Sequence, residues 1–249
     1  MSGFTEFTLG GSSTPSILSM DKPRWKPEKG VYRASFLWLP NLAEGDPDFS
    51  VSGPKVVGVN RFYLQKVGYF LDNGRDQQPN PFQEVYNQHA DEPAPSRTYM
   101  STVVCFWPVN MNTGALDKAR IAAGDFDIKV WCFSQNKANQ LIAIQQEYPL
   151  HKHDLKITVE EPKFHRMSFM PCPDSLFAKM KESNPDTFSR ICKTAAVAAG
   201  KAKTELGQDL TIEQVRAKLT GSVGSPASPS SFGGGGFDAS DMLDNVLDG

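Results

Sequence analysis

The chain lacks any long apolar run and any signal-peptide pattern. No stretch approaches the about 20 consecutive apolar residues that a membrane-spanning helix needs, and residues 1–10 are neither basic nor apolar enough for a secretory leader. We therefore expect a protein that neither spans a membrane nor is secreted. With 249 residues, it is long enough for one large domain with appendages.

Cysteine is scarce and unclustered. No two cysteines form a C-x-x-C pair, and the four of them lie far apart, at Cys105, Cys132, Cys172 and Cys192. This spacing favours reduced, buried thiols over a disulfide framework or a zinc knuckle.

Catalytic and nucleotide-binding motifs are also missing. The chain has no G-x-S-x-G, no G-x-x-x-x-G-K-[ST], no H-E-x-x-H and no dinucleotide-binding fingerprint. The glycine-rich FGGGGF follows no strand, so it favours a linker over a phosphate-binding loop. His151 and His153 form an H-x-H pair without a third ligand nearby, and a solvated turn is the better interpretation. We therefore expect no enzymatic activity, no metal and no cofactor.

Charge is balanced over the whole chain but not along it. The formal net charge is −2. Residues 222–249 contain no Lys or Arg and four Asp, so the rest of the chain, with 26 basic and 24 acidic side chains, carries +2. The asymmetry is more informative than the total.

Short β-type runs dominate the first two thirds of the chain. Residues 1–29 are rich in Gly, Ser and Pro, and we interpret them as a flexible N-terminal arm. The runs that follow are each bounded by Pro, Gly, Asn or Asp, and they comprise residues 30–40, 55–64, 67–71, 97–108, 125–133, 154–161 and 163–170. With one helix inserted at residues 136–146, capped near Ser134, this pattern predicts a mainly β barrel or sandwich.

Residues 174–221 are predicted to form an α-helical extension. The signals, in chain order, are a cap at Asp174 or Ser175, Pro185 in a first turn, and a capping box at Thr211 and Gln214 before a stop at Gly221.

The C-terminal residues 222–249 are predicted to form a flexible Gly/Ser/Pro linker and a disordered acidic tail. Such a tail can mimic a polyanion or present an acidic-apolar hook to partner proteins. A merely solubilising end is the alternative, although leucine and methionine are poor solubilisers. The candidate partner-binding residues are Asp238, Asp241, Met242, Leu243, Asp244, Leu247 and Asp248.

Several predicted strands carry cations next to aromatic rings. The sets are Lys129 with Trp131 and Phe133, Arg97 with Tyr99, Arg61 with Tyr63, and Arg33 alternating with Tyr32, Phe36 and Trp38. Single-stranded nucleic acid binds to such surfaces, because its bases stack on rings while cations follow the phosphates. Each single ring is equally well explained by burial in the core, because a strand that is covered on both faces also carries rings on both.

The order of these features resembles the single-stranded DNA-binding proteins of bacteriophages, of the T-even helix-destabilising type. The resemblance covers roughly residues 30–249. The stretches that carry it are YRASFLWLPN, VVGVNRF followed by KVGYFL, SRTYMSTVVCFWPVN, FDIKVWCFSQNKANQLIAI, DLKITVEEPKFHRMSF and SDMLDNVLDG.

The resemblance implies an OB-fold-like barrel of five to seven strands at residues 30–173, whose cleft binds the DNA strand. The nucleic-acid-binding residues that the resemblance implies are Arg97 and Tyr99, then Lys129, Trp131 and Phe133, and in the early hairpin Arg61, Tyr63 and Tyr69. From the pattern of cations and rings in the first strand, we add Arg33 and Trp38 as candidates. Two departures from the T-even type stand out. Residues 72–95 lack the Cys/His zinc insert, so the chain looks like a zinc-free relative, and the first 21 residues lack the Lys and Arg of the cooperative arm.

We therefore expect a non-enzymatic protein that coats single-stranded DNA during phage DNA replication, recombination and repair in the cytoplasm of the bacterial host cell. Its tail would recruit replication and recombination proteins. We expect a monomer or weakly self-associating protein, with cooperative binding on DNA left open. The alternative is a structural or virion interaction protein that binds no nucleic acid. An enzyme would need clustered carboxylates, and the choice between DNA and RNA stays open.

Overall fold

An antiparallel sheet of seven strands, covered by helices, forms the part of the chain that the structure describes. The structure is a computed structural model and describes residues 23–37, 57–161 and 166–221. The strands are β1 (Gly30–Phe36), β2 (Val57–Leu64), β3 (Gly68–Leu71), β4 (Arg97–Trp107), β5 (Asp127–Ser134), β6 (Leu155–Glu161) and β7 (Arg166–Pro171). The helices are α1 (Pro81–His89), α2 (Lys118–Ala122), α3 (Gln135–Glu147), α4 (Leu176–Ser183), α5 (Pro185–Lys201) and α6 (Ile212–Thr220).

Strand β4 is the centre of the sheet. The strand order is β3-β2-β4-β1-β6-β7, and β5 pairs with β4 outside this path. β5 follows one edge of β4 from Tyr99 to Phe106. The other edge of β4 therefore holds two strands in succession, with β2 opposite its first half and β1 opposite its second half. Eleven residues give β4 a length of about 35 Å, which is enough for both partners.

The sheet is open, and the predicted barrel is not seen. β3 and β7 end the strand order and do not pair with each other. The outer edge of β3 is instead covered by the segment at Gln208, whose backbone N–H donates to the Tyr69 carbonyl at 2.9 Å and whose carbonyl accepts from Leu71. Because these hydrogen bonds already satisfy the edge, β3 needs no closing strand.

The predicted arm is shorter than expected from the sequence. Residues 23–25 join the outer edge of β5, where the Trp25 N–H donates to the Val130 carbonyl at 2.8 Å and the Val130 N–H donates to the Pro23 carbonyl at 2.7 Å. The Trp25 side chain is buried. The remainder of the predicted arm, residues 1–22, lies outside the described residues, as do Trp38 and residues 222–249.

Three apolar clusters hold the helices on the sheet. The first joins one face of β4 and β5 to α5, whose inward side chains include Ile191, Cys192, Ala195 and Ala198. The second joins the opposite face of the sheet to α3. The third joins β2 and β3 to α1 and α6. Because α4 and α5 share the first cluster with the strands, the predicted helical extension is part of the sheet's own core.

The helices that the sequence predicts are confirmed with small changes of boundary. The capping box of α6 is formed by Thr211 and Gln214, and the helix ends at Gly221 with a φ of +69°, a conformation that glycine adopts at no steric cost. Ser175 caps α4, and Asn184 caps α5 ahead of Pro185. Helices α1 and α2 were not predicted, although their caps, Asn80 and Asp117, are typical ones.

Candidate nucleic-acid interface

Five of the predicted binding residues lie on one face of β2, β3 and β4. Antiparallel pairing places Tyr63 opposite Tyr69 and Arg61 opposite Arg97, and directly opposed residues point to the same side. Tyr99 lies two positions beyond Arg97 and so shares its side. We call Arg61, Tyr63, Tyr69, Arg97 and Tyr99 the tyrosine–arginine face. The register therefore places residues of the early hairpin and of the basic-aromatic strand on the same face of the sheet.

The outer part of this face is a pair of half-buried tyrosine rings. The ring centroids of Tyr63 and Tyr69 are 4.9 Å apart, with an angle of 51° between the planes. Partial burial raises the pKa of the Tyr63 phenol above its ordinary value. Two rings that are only partly covered offer a surface on which an unstacked base can lie.

Cations border the tyrosine pair at the surface. Arg97 is exposed at the start of β4. Lys66 is exposed in the turn between β2 and β3, three residues from each tyrosine of the pair. The sequence analysis did not single out Lys66, although its place in the short turn between the two tyrosine-bearing strands is visible in the sequence. The β2–β3 turn and the start of β4 therefore place two exposed cations at the same end of the sheet as the tyrosine pair.

The inner part of the face is a buried guanidinium between two rings. Arg61 is 3% exposed, and its Cζ atom lies 3.8 Å from the ring centroid of Tyr69 and 3.6 Å from that of Tyr99. Its Nη1 donates to the Leu206 carbonyl at 2.7 Å. Neither its Nε nor its Nη2 has a hydrogen-bond partner among the described residues. Tyr99, which is buried, lies beneath the arginine and not at the surface, contrary to the prediction that it stacks on bases.

Trp131 and Phe133 are core residues, which contradicts their predicted place on a binding surface. Trp131 is 2% exposed and is surrounded by the rings of Trp25, Phe36, Phe133 and Phe169, with centroid distances of 5.3 to 5.9 Å. The physical reason is that β5 is covered on both sides, by α5 on one and α3 on the other, and by residues 23–25 along its edge. The alternation within β5 was predicted correctly, but its second face is buried.

Arg33 belongs to an internal ion-pair network and is not part of a surface groove. Its Nε donates to Asp154 Oδ2 at 2.9 Å, and its Nη2 donates to the Asp174 carbonyl at 3.0 Å. Asp154 is fully buried and also accepts from the Ser35 hydroxyl and the Leu176 backbone N–H. Burial raises the pKa of Asp154, whereas the Ser35 and Arg33 donors oppose that shift. The network anchors the first turn of α4 to β1 and β6.

Lys129 lies across the sheet from the tyrosine–arginine face. It is paired in register with Val104, whose side chain belongs to the second cluster, and its Nζ lies 3.3 Å from Asp127 Oδ1. The sheet therefore separates Lys129 from Arg61, Tyr63 and Tyr69. A single groove cannot use both sets.

The described ranges hold no group of three His, Cys, Asp or Glu side chains placed to bind a metal ion. His153 Nδ1 donates to the Cys172 carbonyl at 2.9 Å, and desolvation lowers the pKa of His151. All four cysteines are buried, and none forms a disulfide bond.

No helix within the described residues is both long enough and apolar enough to cross a membrane.

Comparison with known proteins places the chain in no family. No protein-family model matches it. No curated protein matches it either.

Proposed function

We propose that this protein binds single-stranded DNA on the outer part of the tyrosine–arginine face. The observation that carries the proposal is that one end of the sheet holds both the two partly covered rings of Tyr63 and Tyr69 and two exposed cations, Arg97 and Lys66. Bases stack on such rings with about 1–3 kcal/mol each, whatever their sequence. Arginine and lysine attract the phosphates.

This surface favours single strands over duplex. In duplex DNA the bases are already stacked on each other, so the tyrosine rings find no free base face, and only the phosphate contacts remain. Stoichiometric coating would therefore stabilise single strands and melt hairpins by mass action. No catalytic step or cofactor is part of this role. It fits a protein that protects DNA during phage replication, recombination and repair in the host cytoplasm, as the resemblance implies.

The acidic C-terminal residues supply the second half of the proposal. Four Asp between Phe237 and Gly249 alternate with apolar Met242, Leu243 and Leu247. An acidic-apolar peptide of this kind recruits partner proteins by an apolar hook, with charge giving specificity. We assign it the recruitment of replication and recombination proteins.

Binding is best tested with a labelled oligonucleotide. Three of the four tryptophans, Trp25, Trp107 and Trp131, are buried, so a label on the oligonucleotide reports binding more directly than tryptophan quenching. Fluorescence anisotropy of labelled oligo-dT, compared with duplex of the same length and with oligo-U, measures affinity directly. We expect oligo-dT to bind more tightly than duplex at 0.1 M salt, and oligo-U decides between DNA and RNA.

Two tyrosine variants identify the surface. Tyr63→Ala and Tyr69→Ala should each weaken oligo-dT binding about 5- to 150-fold, which corresponds to about 1–3 kcal/mol. The matched control is Tyr148→Ala, because Tyr148 is 44% exposed at the end of α3 and lies outside the proposed surface. Equal losses in all three variants would refute this placement.

One observation favours the alternative role of a structural or virion interaction protein. Met170 is 62% exposed on β7, which ends the strand order of the sheet. An apolar side chain on an end strand suits contact with another protein. Absence of any binding to oligo-dT, oligo-U or duplex would select this role.

A further inference from the structure

Arg61 is a buried cation without a counter-ion. No carboxylate in residues 23–37, 57–161 or 166–221 forms an ion pair with it, and its only hydrogen bond is the one from Nη1 to the Leu206 carbonyl. Burying a charge and leaving its donors unmatched is strongly unfavourable, so native proteins rarely retain such a group without a reason. The two tyrosine rings compensate only in part, because a ring attracts the cation but gives its N–H bonds no oxygen acceptor.

The two unmatched donors form one edge of the guanidinium. Nε and Nη2 are the nitrogens whose N–H bonds point in parallel from the same side, whereas Nη1 points the other way, toward Leu206. Two parallel N–H bonds match two oxygens of a phosphodiester in a bidentate contact. The geometry thus leaves free the edge of Arg61 that suits a phosphate group.

The rings that cover Arg61 are held unequally. Tyr99 lies on the central strand β4 and packs in the first apolar cluster. Tyr69 lies on the four-residue strand β3, is half-buried, and packs against the surface ring of Tyr63. The hydrogen bonds to Gln208 fix the backbone of Tyr69, but a side-chain rotation leaves them intact. Of the two rings that cover Arg61, Tyr69 is thus the more exposed one.

We propose that Arg61 is a phosphodiester-binding residue that Tyr69 covers in the free protein. When a single strand binds, the Tyr69 ring turns outward and stacks on a base, and Nε and Nη2 of Arg61 then donate to the adjacent phosphate. The contact with Leu206 keeps the guanidinium oriented throughout. This inference rests on the proposed function, and it adds an induced-fit step and a phosphate contact that the surface residues alone do not supply.

Salt dependence separates a phosphate contact from a structural role. For single strands, each phosphate contact contributes about 0.7 to the slope of log affinity against log salt concentration. Arg61→Met and Arg61→Gln both remove the charge, and Gln keeps an amide donor. In oligo-dT titrations between 0.05 and 0.5 M salt, we expect each variant to lose about 0.7 from the magnitude of the parent slope. Affinity at 0.1 M salt should fall about tenfold or more, because hydrogen bonds to charged groups are strong.

The control is Arg120→Gln. Arg120 is an exposed cation in α2, which follows the far end of β4, and it pairs with Asp125. Its removal changes the net charge in the same way as the Arg61 variants but should leave the parent slope unchanged. Melting curves run beside each titration should show that the Arg61 variants fold, since an apolar residue often replaces a buried, unpaired charge without loss.

Each outcome bears on the proposal. A reduced slope in either folded Arg61 variant, with the Arg120 variant unchanged, supports it. A slope equal to the parent's overturns it, and so does failure of both variants to fold, because Arg61 would then be required by the fold itself. If the parent protein does not bind oligo-dT, the proposed function itself is refuted. The titration of the parent protein shows this before any variant is made.

Discussion

Replacing Trp131 by alanine should reduce stability and leave DNA binding intact. The side chain is 2% exposed, and four aromatic rings surround it. Truncating a buried Trp to Ala costs about 3–5 kcal/mol, and each lost ring pair adds to the loss of area. We place Trp131→Ala at the upper end of that range. In a protein of this size, 1 kcal/mol corresponds to about 2–4 °C, so a loss of about 5 kcal/mol should lower the melting temperature by about 10–20 °C.

Tyr63→Ala is the opposite case. Its ring is half-buried at the edge of the sheet and has one described ring neighbour, Tyr69. The loss of stability should therefore be smaller than for Trp131→Ala, whereas oligo-dT binding should weaken about 5- to 150-fold. Each variant thus changes mainly one of the two measured quantities.

The assay combines a thermal melt with an oligo-dT titration, performed at a temperature where both variants remain folded. Parent protein and Tyr148→Ala serve as references. The expected result is a Trp131→Ala protein that binds within about twofold of the parent. A Trp131→Ala protein that melts like the parent but binds tenfold more weakly would refute the reasoning, because it would return Trp131 to the binding surface.

Two further predictions follow from the sequence and the described residues. Chelators should change neither the melting temperature nor the oligo-dT affinity, because no metal contributes to the fold in our interpretation; stoichiometric zinc in the purified protein would contradict this. Truncation after Gly221 should raise the affinity for single strands mainly at low salt, because the four Asp compete with phosphates for the same cations. Salt of about 0.15 M shortens the range of that electrostatic interaction to about 8 Å. The truncation should also abolish capture of replication proteins. If the truncated protein binds single strands at low salt with unchanged affinity, the Asp residues do not compete with phosphates. If it also still captures replication proteins, the tail serves only to keep the protein in solution.

The elements of the fold were largely predictable because their signals are local. The alternation of β4 and the capping box of α6 depend on residues within a few positions of each other. Closure of the sheet is different, because it depends on which segment covers an edge. The segment that covers β3 comes from Gln208, more than 130 residues further along the chain. Nothing in the pattern of β3 indicates this partner.

The same limit applies to the two faces of β5. Lys129, Trp131 and Phe133 alternate as a binding surface would, but a strand covered by helices on both sides shows the same alternation. The sequence does contain one relevant contrast. The residues of β5 between Ile128 and Phe133 are apolar except for Lys129, whereas β2 carries the polar Asn60 and Arg61 in its middle. A nearly continuous apolar run favours burial on both faces, and this contrast favours β2 over β5 as the binding strand.

Three arginines with similar sequence surroundings differ because of residues far along the chain. Arg33, Arg61 and Arg97 each lie in a strand beside aromatic residues. Asp154, 121 positions away, neutralises Arg33 and fixes it inside the fold. Leu206, 145 positions from Arg61, offers only a carbonyl, which orients the Arg61 guanidinium but supplies no counter-ion. Arg97 stays exposed at the start of β4. The partner that the fold brings to Arg33 and to Arg61 therefore decides how each charge is used, and of these two only Arg61 has a guanidinium edge that no described residue satisfies.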